Sequence, residues 1–481
     1  MVGNQLARQL VFCLLAVMLT TFGLPGTLTS QTVGTGSSIA QTQSPLLGSV
    51  PTGQATGNTL NLSLKEAFTR ALKYNLGVVE SSQDTRAAHA VRLQNLNALL
   101  PDISARVTGS VEQNNLRALG FNPNIPGLNI PTIVGPFSVG DARAYLSQEI
   151  FNWSHIKGLK SASESERASQ YSYTSDRDLV ILTTGNAYLI VISDNATVDS
   201  IRAQVNTAQT LYDNDIDLNK HGVIASIDLL RAQVELKTQQ QRLIAAQNQL
   251  NIDKLTLARV IGLPKGQEFR LTDTVPYVPL ETMMLTQALT KAYATRPDYL
   301  SAKSQVQAAK LAFEGAVAEN YPWLSTDANF GDIGSPNFGR SHETFSAALT
   351  LNVPLFQGSK VRADKLQADS VLERRKAELA DLDGKIDDQV RTAFFNLKSS
   401  ADLVAVAKSN IDLADQTLAQ AQDRFKAGVA DNLEVVQAQE SVASANQSYI
   451  ASLYSFNLAK ISLAQALGVA EQSAAQYLGV R

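Results

Sequence analysis

Residues 220–233 read KHGVIASIDLLRAQ, and residues 426–439 read KAGVADNLEVVQAQ. When the sequence is shifted by 206 positions, residues 206–262 align with residues 412–468 without a gap, and about a quarter of the positions are identical. A shift of 221 positions aligns an earlier part, in which six residues recur: Leu64, Ala67, Ala71, Ala87, Ala88 and Pro101 as Leu285, Ala288, Ala292, Ala308, Ala309 and Pro322. The chain is therefore predicted to consist of two copies of one unit.

Long helices surround the two repeated stretches. A helical pattern without proline extends from about residue 155 to 220 and from about 359 to 426. At 1.5 Å per residue, such a helix is roughly 100 Å long. The return helices, about 223–262 and 429–468, each reach roughly 60 Å, so another short helix is expected to stack beyond each of them.

The repeated stretches themselves are predicted to be the tips of two helical hairpins. Gly222 and Gly428 follow the last lysine of each long helix, and glycine readily adopts the left-handed conformation that ends a helix. Ser226 and Asn432 are expected to cap the return helices, because their side chains can accept a hydrogen bond from the first turn.

Each copy opens with a helix. In the first copy this helix begins at a capping box made by Ser63 and Glu66 and is predicted to continue to Leu100. In the second copy, Pro297 restarts a helix near its first position, where the missing N–H of proline costs nothing.

Four stretches with alternating apolar and polar residues follow these helices, at 102–113 and 142–152 in the first copy and at 323–331 and 343–356 in the second. Their length and pattern are typical of strands of an outer-membrane barrel. Four strands cannot close a barrel, but three chains of four could. The alternative is a small soluble sheet whose apolar face is covered by the helices.

Aromatic residues lie at or near the ends of these strands. Trp153, Trp323, Phe345 and Phe356 suit an aromatic girdle at a membrane interface.

The N-terminal residues and the composition restrict the class of protein to which the chain can belong. Residues 1–30 have the pattern of a secretory signal peptide, and Cys13, the single cysteine, lies within it. No later apolar run approaches about 18 residues, so no helix of the mature chain is predicted to cross a membrane. The net charge of −3 and the absence of a basic stripe argue against a nucleic-acid partner.

The sequence offers no pattern of catalytic residues. The four histidines are scattered over different elements with no cysteine to complete a zinc site, and no phosphate-binding glycine loop is present. No metal, cofactor or enzymatic activity is predicted.

The chain resembles the TolC-like outer-membrane efflux factors. The resemblance covers about residues 61–470 and rests on the duplicated order of elements, on RPDYLSAKSQVQAA from Arg296, on PLFQG from Pro354, and on RFKAGVADNLEVVQAQESVASANQSY from Arg424. It implies a mainly α fold with a membrane β-barrel: a homotrimer with 12 strands in the outer-membrane lipid and an α-helical tunnel of long antiparallel coiled-coil helices in the periplasm. The implied partners are a periplasmic adaptor and an inner-membrane transporter.

The resemblance also implies roles for residues at the tips. Gly222, Val223, Gly428 and Val429 correspond to the adaptor-docking turns, although His221 and Ala427 stand where the family usually has valine. Two further residues, Glu434 and Gln437, fall on the positions of the aperture gate, and glutamine at the second position removes one acidic ring. The alternative for Glu434 is a carboxylate favoured in the first turn of a helix by the helix dipole.

The predicted organisation divides the chain into six parts: signal peptide 1–30, flexible lead-in 31–60, first repeat 61–262, equatorial linker 263–281, second repeat 282–468 and C-terminal tail 469–481. The predicted function is that of a passive outer-membrane duct in a tripartite efflux or type I secretion system. The alternative function is an exported structural coiled-coil spacer with a small β head.

Overall fold

The computed structural model describes residues 45–118, 120, 131–273, 277–279, 283–335, 340–430 and 432–479. The predicted signal peptide and the lead-in as far as residue 44 lie outside the described residues.

Within this part of the chain, nine helices of eight or more residues are present, and they follow the duplicated order: α1 Leu64–Tyr74, α2 Leu76–Asn97, α3 Trp153–Lys220, α4 Ser226–Val260, α5 Leu285–Thr295, α6 Pro297–Ala318, α7 Lys360–Lys426, α8 Asn432–Ala466 and α9 Ala470–Tyr477. The helices α3 and α7 contain 68 and 67 residues, and each therefore extends about 100 Å.

The described residues also form six strands in two sheets: β1 Leu60–Leu62, β2 Asp102–Asn115, β3 Ile133–Phe151, β4 Phe269–Leu271, β5 Trp323–Ser335 and β6 Arg340–Asn352. The short strands β1 and β4 pair in parallel, and the other four form an antiparallel sheet in the order β2-β3-β5-β6. The strand β3 begins nine residues before the predicted position, at Ile133. The strand β6 ends at Asn352 instead of residue 356, because Pro354 cannot donate to the ladder.

The first helix of each copy is broken in the middle. In the first copy the predicted continuous helix from Ser63 to Leu100 is wrong: it stops at Tyr74 and restarts at Leu76. The fully buried Asn75 lies between them, accepts a hydrogen bond from Gly77 N and donates to Leu46 O. In the second copy the break falls at the equivalent Arg296, directly before Pro297.

The helix α3 connects the parts of the fold. Near the sheet it contacts α2 and α6, and towards its tip it contacts α4 and α8. The helix α7 follows the same course beside α6 and α8. In the half of the fold nearer the hairpin tips, the helices therefore lie side by side in the order α4, α3, α8, α7.

The main hydrophobic core lies at the middle of α3, where the ends of α4 and α8 meet α1 and α9. Among the described residues, α3 alone contains a window long and apolar enough to cross a membrane, and 44% of that window is buried within the chain. Val180, Ile181, Leu189 and Val191 of α3 belong to the core, so packing within the chain accounts for part of the apolar character of this helix.

The described part of the predicted lead-in, residues 45–60, contacts the rest of the chain. Leu46 packs against the main core, and Val50 N donates to Tyr74 O at 2.8 Å. Thr56 N donates to the Gln267 side chain at 2.8 Å. Residues 45–60 are thus attached to the helices and to the segment around β4.

Candidate functional sites: the hairpin tips and the sheet faces

Both hairpin tips have the same backbone geometry. At the first tip, Gly222 has a φ of +71°, Gly222 N donates to Asn219 O at 3.0 Å, and Val223 N donates to Leu218 O at 2.9 Å. This pair of bonds is a Schellman motif, which satisfies the last carbonyl groups of a helix.

The second tip repeats the motif. Gly428 has a φ of +70°, Gly428 N donates to Phe425 O at 3.0 Å, and Val429 N donates to Arg424 O at 3.0 Å. A Cβ atom on either glycine would meet nothing within 4 Å, so the backbone conformation, and not crowding, favours glycine at both tips.

The tips present apolar side chains to solvent. Val223 and Val429 are each 66% exposed, although valine is among the residues most often buried. The predicted cap at Ser226 is wrong, because Ser226 is the first residue of α4 and Ala225 precedes it with no side-chain cap bond. The corresponding prediction for the Asn432 side chain lies outside the described residues.

The predicted gate residues lie in the first turns of α8. Glu434 Oε1 is 3.3 Å from Arg424 Nε at the end of α7, and its side chain is partly exposed. Gln437 is exposed one turn further along. The positive charge of Arg424 offsets part of the negative charge of Glu434, so an aperture ring formed by this residue would be less acidic than three isolated carboxylates.

An ion pair joins the two hairpins. Arg242 on α4 donates from Nη1 and Nη2 to the two carboxylate oxygens of Glu440 on α8, at 2.9 and 3.1 Å. Below it, towards the tips, an apolar cluster contains residues from both hairpins, among them Leu211 and Val435. We name the Arg242–Glu440 pair the hairpin clasp.

The four-stranded sheet has one apolar face that no helix of the described chain covers. Ile103, Val107 and Val111 on β2 are 73%, 84% and 74% exposed, and Phe345 on β6 is 70% exposed. At 3.4 Å per residue, Ile103 and Val111 are about 27 Å apart along the strand, close to the height of the apolar band of outer-membrane barrels. Exposed apolar patches of this size mark a membrane or protein interface.

The register separates the predicted girdle residues. Phe345 pairs with Phe330 on the apolar face. Trp323 lies on the opposite face, because it precedes Leu324 of the apolar face by one residue and side chains alternate along a strand. Trp153, at the start of α3, stacks on Phe151 with 5.7 Å between the ring centroids. Phe356 is exposed beyond the end of β6.

A buried carboxylate holds the C-terminal helix. Asp178 Oδ1 on α3 accepts a hydrogen bond from Glu471 N at 2.8 Å, in the first turn of α9, and Arg177 forms an ion pair with Glu471. Burial raises the pKa of Asp178 to about 6, despite the two backbone groups that favour its charged form. The local sequence pattern does not predict this contact, since nothing in it relates two residues so far apart.

A buried lysine was also missed. Lys460 on α8 is fully buried, and its Nζ has no hydrogen-bond partner among the described residues. Its ammonium group lies 4.5 Å from the centroid of the Phe456 ring. Burial lowers the pKa of Lys460 to about 8.

The described residues contain no group of three or more His, Cys, Asp or Glu side chains that could hold a metal ion.

Long helical hairpins with solvent-facing apolar tips, attached to a sheet with an uncovered apolar face, define a class of membrane-attached helical channel proteins. A family model described as outer membrane efflux protein matches residues 68–263 and 288–469. The chain belongs to the outer membrane efflux protein family. It is an outer-membrane efflux channel protein, and the family is one of channels and not of enzymes.

Individual relatives agree with this assignment. The alkaline protease secretion protein AprF of Pseudomonas aeruginosa is 23% identical over 68% of this chain and 69% of its own length. The outer membrane protein TolC of Vibrio cholerae is 20% identical over 88% and 94%. The crystal structure of the CmeC outer membrane channel of Campylobacter jejuni superposes with a TM-score of 0.70 at 15% identity, covering 93% of this chain and 94% of that one.

Proposed function

We propose that this chain forms the outer-membrane duct of a tripartite efflux or type I secretion system, as a homotrimer whose sheets close into one barrel. The observation that carries the proposal is the uncovered apolar face formed by β2, β3, β5 and β6. A soluble spacer would leave this face in water, at a cost of roughly 25 cal/mol for each Å² of exposed apolar surface.

The edges of the sheet support a trimer. The strands β2 and β6 are the two edges, and no described strand pairs with their outer sides. Because four antiparallel strands alternate in direction, β6 of one copy runs antiparallel to β2 of the next. Three copies would therefore continue one antiparallel ladder around twelve strands, an even number as in bacterial outer-membrane barrels.

The edges of the helical layer support the same assembly. The edge helix α4 exposes an apolar row that includes Val234, Ile244 and Leu255. The other edge helix, α7, exposes Phe395 and Val406. Contact between α4 of one copy and α7 of the next would cover both rows. Such a head-to-tail contact forms a closed ring when the rotation from one copy to the next is 120° for three copies.

The tips are the proposed docking surface for a periplasmic adaptor, which in turn would connect the duct to an inner-membrane transporter. The exposed Val223 and Val429 offer two equivalent apolar contacts per chain. Glu434 is the proposed gate residue, with Gln437 one turn behind it. The duct has no catalytic step of its own, so export depends on the energy supplied by the transporter.

Single-channel conductance of the detergent-purified protein in a planar bilayer tests the proposal. We expect a trimer by native mass spectrometry and a small current in symmetric salt. In Glu434→Ala the current should grow or lose cation preference, because a carboxylate at the aperture is removed. The matched control is Asp228→Ala, since Asp228 occupies the equivalent position of the first copy and should leave the current unchanged. A monomer that forms no channels would favour the structural spacer instead.

A further inference from the structure

The polar face of the four-stranded sheet carries two arginines directly opposite each other. Arg106 on β2 pairs with Arg143 on β3, and Arg143 pairs with Gly331 on β5. The next row on this face contains Ser104, Tyr145 and Asn329. If the apolar face meets lipid, as the proposed function requires, these rows line the lumen of the duct.

The two arginines have different environments. Arg143 forms an ion pair with Asp141, and its Nη1 donates to Asn329 Oδ1 at 3.4 Å. Its side chain also occupies space that a side chain on Gly331 would need, because a Cβ there would lie 2.8 Å from Arg143 Cγ. Arg143 is therefore fixed and neutralised by its neighbours.

Arg106 is exposed and forms no ion pair among the described residues, although the carboxylate of Asp141, which is bound to Arg143, also attracts its guanidinium group. Its guanidinium carbon lies 5.3 Å from the centroid of the Tyr145 ring. The same ring is 5.6 Å from the guanidinium carbon of Arg143, so Tyr145 lies beside both cations. The N–H donors of Arg106 are left to face the space in front of the sheet.

Packing does not account for Arg106. Like charges directly opposite each other in a sheet are destabilising, and Asp141 offsets part of this repulsion because it attracts both arginines. A guanidinium group held by an aromatic ring, with its donors open, matches the planar two-oxygen geometry of a carboxylate. Arg106 is the fifth of the 14 residues of β2, so any solute that traverses the barrel would pass it.

We propose that Arg106, held beside Tyr145 on the lumenal face, binds the carboxylate groups of solutes during their passage through the duct. The site rests on the proposed function, because only a closed barrel turns this face into a lumen. A trimer would carry three such sites. The substrate class that follows is small organic acids, or larger cargo with exposed carboxylates.

Block of the single-channel current by benzoate tests the site, and benzamide serves as the neutral ligand of the same shape. In the wild type, benzoate added to either side should reduce the current at concentrations at which benzamide has no effect. Arg106→Gln should raise the half-blocking benzoate concentration at least about tenfold, since charge-assisted hydrogen bonds are lost. Arg106→Lys keeps the charge without the planar arrangement of N–H donors, and its half-blocking benzoate concentration should lie between those of the wild type and Arg106→Gln.

Arg117→Gln is the matched control, because Arg117 is an exposed arginine just beyond the end of β2. Its benzoate block should equal that of the wild type. Tyr145→Leu, which keeps Arg106 but removes the ring beside it, should weaken the block several-fold and provides a second variant should Arg106→Gln not assemble.

The outcomes separate this inference from the proposed function. Conducting trimers whose benzoate block is the same in the wild type and in Arg106→Gln would overturn the carboxylate site and leave the duct intact. Equal block of the wild-type current by benzoate and benzamide would also overturn the carboxylate site and leave the duct intact. Wild-type protein that forms neither trimers nor channels would instead overturn the proposed function itself.

Discussion

Replacement of Lys460 by methionine should stabilise the protein. The lysine is fully buried without a hydrogen-bond partner in the described part of the chain, and its pKa falls from 10.5 to about 8. This lowering of the pKa corresponds to a cost of about 3 kcal/mol at neutral pH. The contact with Phe456 offsets about 1 kcal/mol of this cost. Since methionine fills a similar volume without the charge, Lys460→Met should raise the free energy of unfolding by about 2 kcal/mol.

The dependence on pH provides a second observable. Because the pKa of Lys460 is lower in the folded protein, the unfolded chain binds more protons between about pH 8 and 10.5. The free energy of unfolding of the wild type should therefore rise with pH across this range, and Lys460→Met should lack this part of the rise.

Guanidinium unfolding in detergent, followed by far-UV circular dichroism near neutral pH and at about pH 9.5, measures both effects. Lys254→Met is the matched control, because Lys254 occupies the equivalent position of the first copy and is partly exposed; it should change the midpoint little. A lower midpoint for Lys460→Met at neutral pH would refute the reasoning, since it would show that the ammonium group has a stabilising anionic partner.

Three further predictions concern the sheet, the C-terminal helix and the hairpin clasp. Val107→Lys, on the apolar face, should reduce the amount of trimer recovered from outer membranes, at a cost of about 2–4 kcal/mol near the bilayer midplane, whereas Thr108→Lys on the polar face should not; equal recovery would contradict the lipid-facing assignment. The raised pKa of Asp178, about 6, means that its contribution to the free energy of unfolding is present in acid and is lost as the pH rises through 6, so Asp178→Asn should remove this pH dependence from unfolding curves recorded between about pH 4 and 7.5. Arg242→Glu, which places two acids together at the hairpin clasp, should increase the open-channel current, and the double exchange with Glu440→Arg should restore the wild-type current if the pair holds the hairpins together.

The periodic parts of the fold could be predicted from the sequence because each depends on a repeating pattern. The two long helices end at Lys220 and Lys426, as the positions of Gly222 and Gly428 indicated. The breaks were harder to see. Proline at the first position, as in Pro297, is a known signal for the start of a helix, whereas an asparagine such as Asn75 is not. The break at Asn75 is explained by its buried side chain and by its equivalence to Arg296.

Features that depend on long-range contact could not be predicted in the same way. The face of the sheet on which Trp323 lies follows from the pairing register, which its local sequence does not determine. The attachment of residues 45–60 arises from single residues such as Leu46 and Gln267, which contact distant segments without any periodicity. For the gate, the sequence pointed to Glu434 but did not indicate its ion pair with Arg424.

The unequal continuity of the helices has a mechanical consequence. In each copy one helix, α3 or α7, runs without interruption from the sheet to the tip. The return helix instead ends two residues before Gly262 or Gly468, and these glycines lie beside the break of the first helix. A Cβ on Gly262 would lie 2.6 Å from Tyr74 Cβ, and one on Gly468 would lie 2.6 Å from Arg296 Cα. Each hairpin thus combines one rigid strut with one jointed strut. A pull on a tip would be transmitted along the strut to the sheet, while bending would concentrate at the joint halfway up.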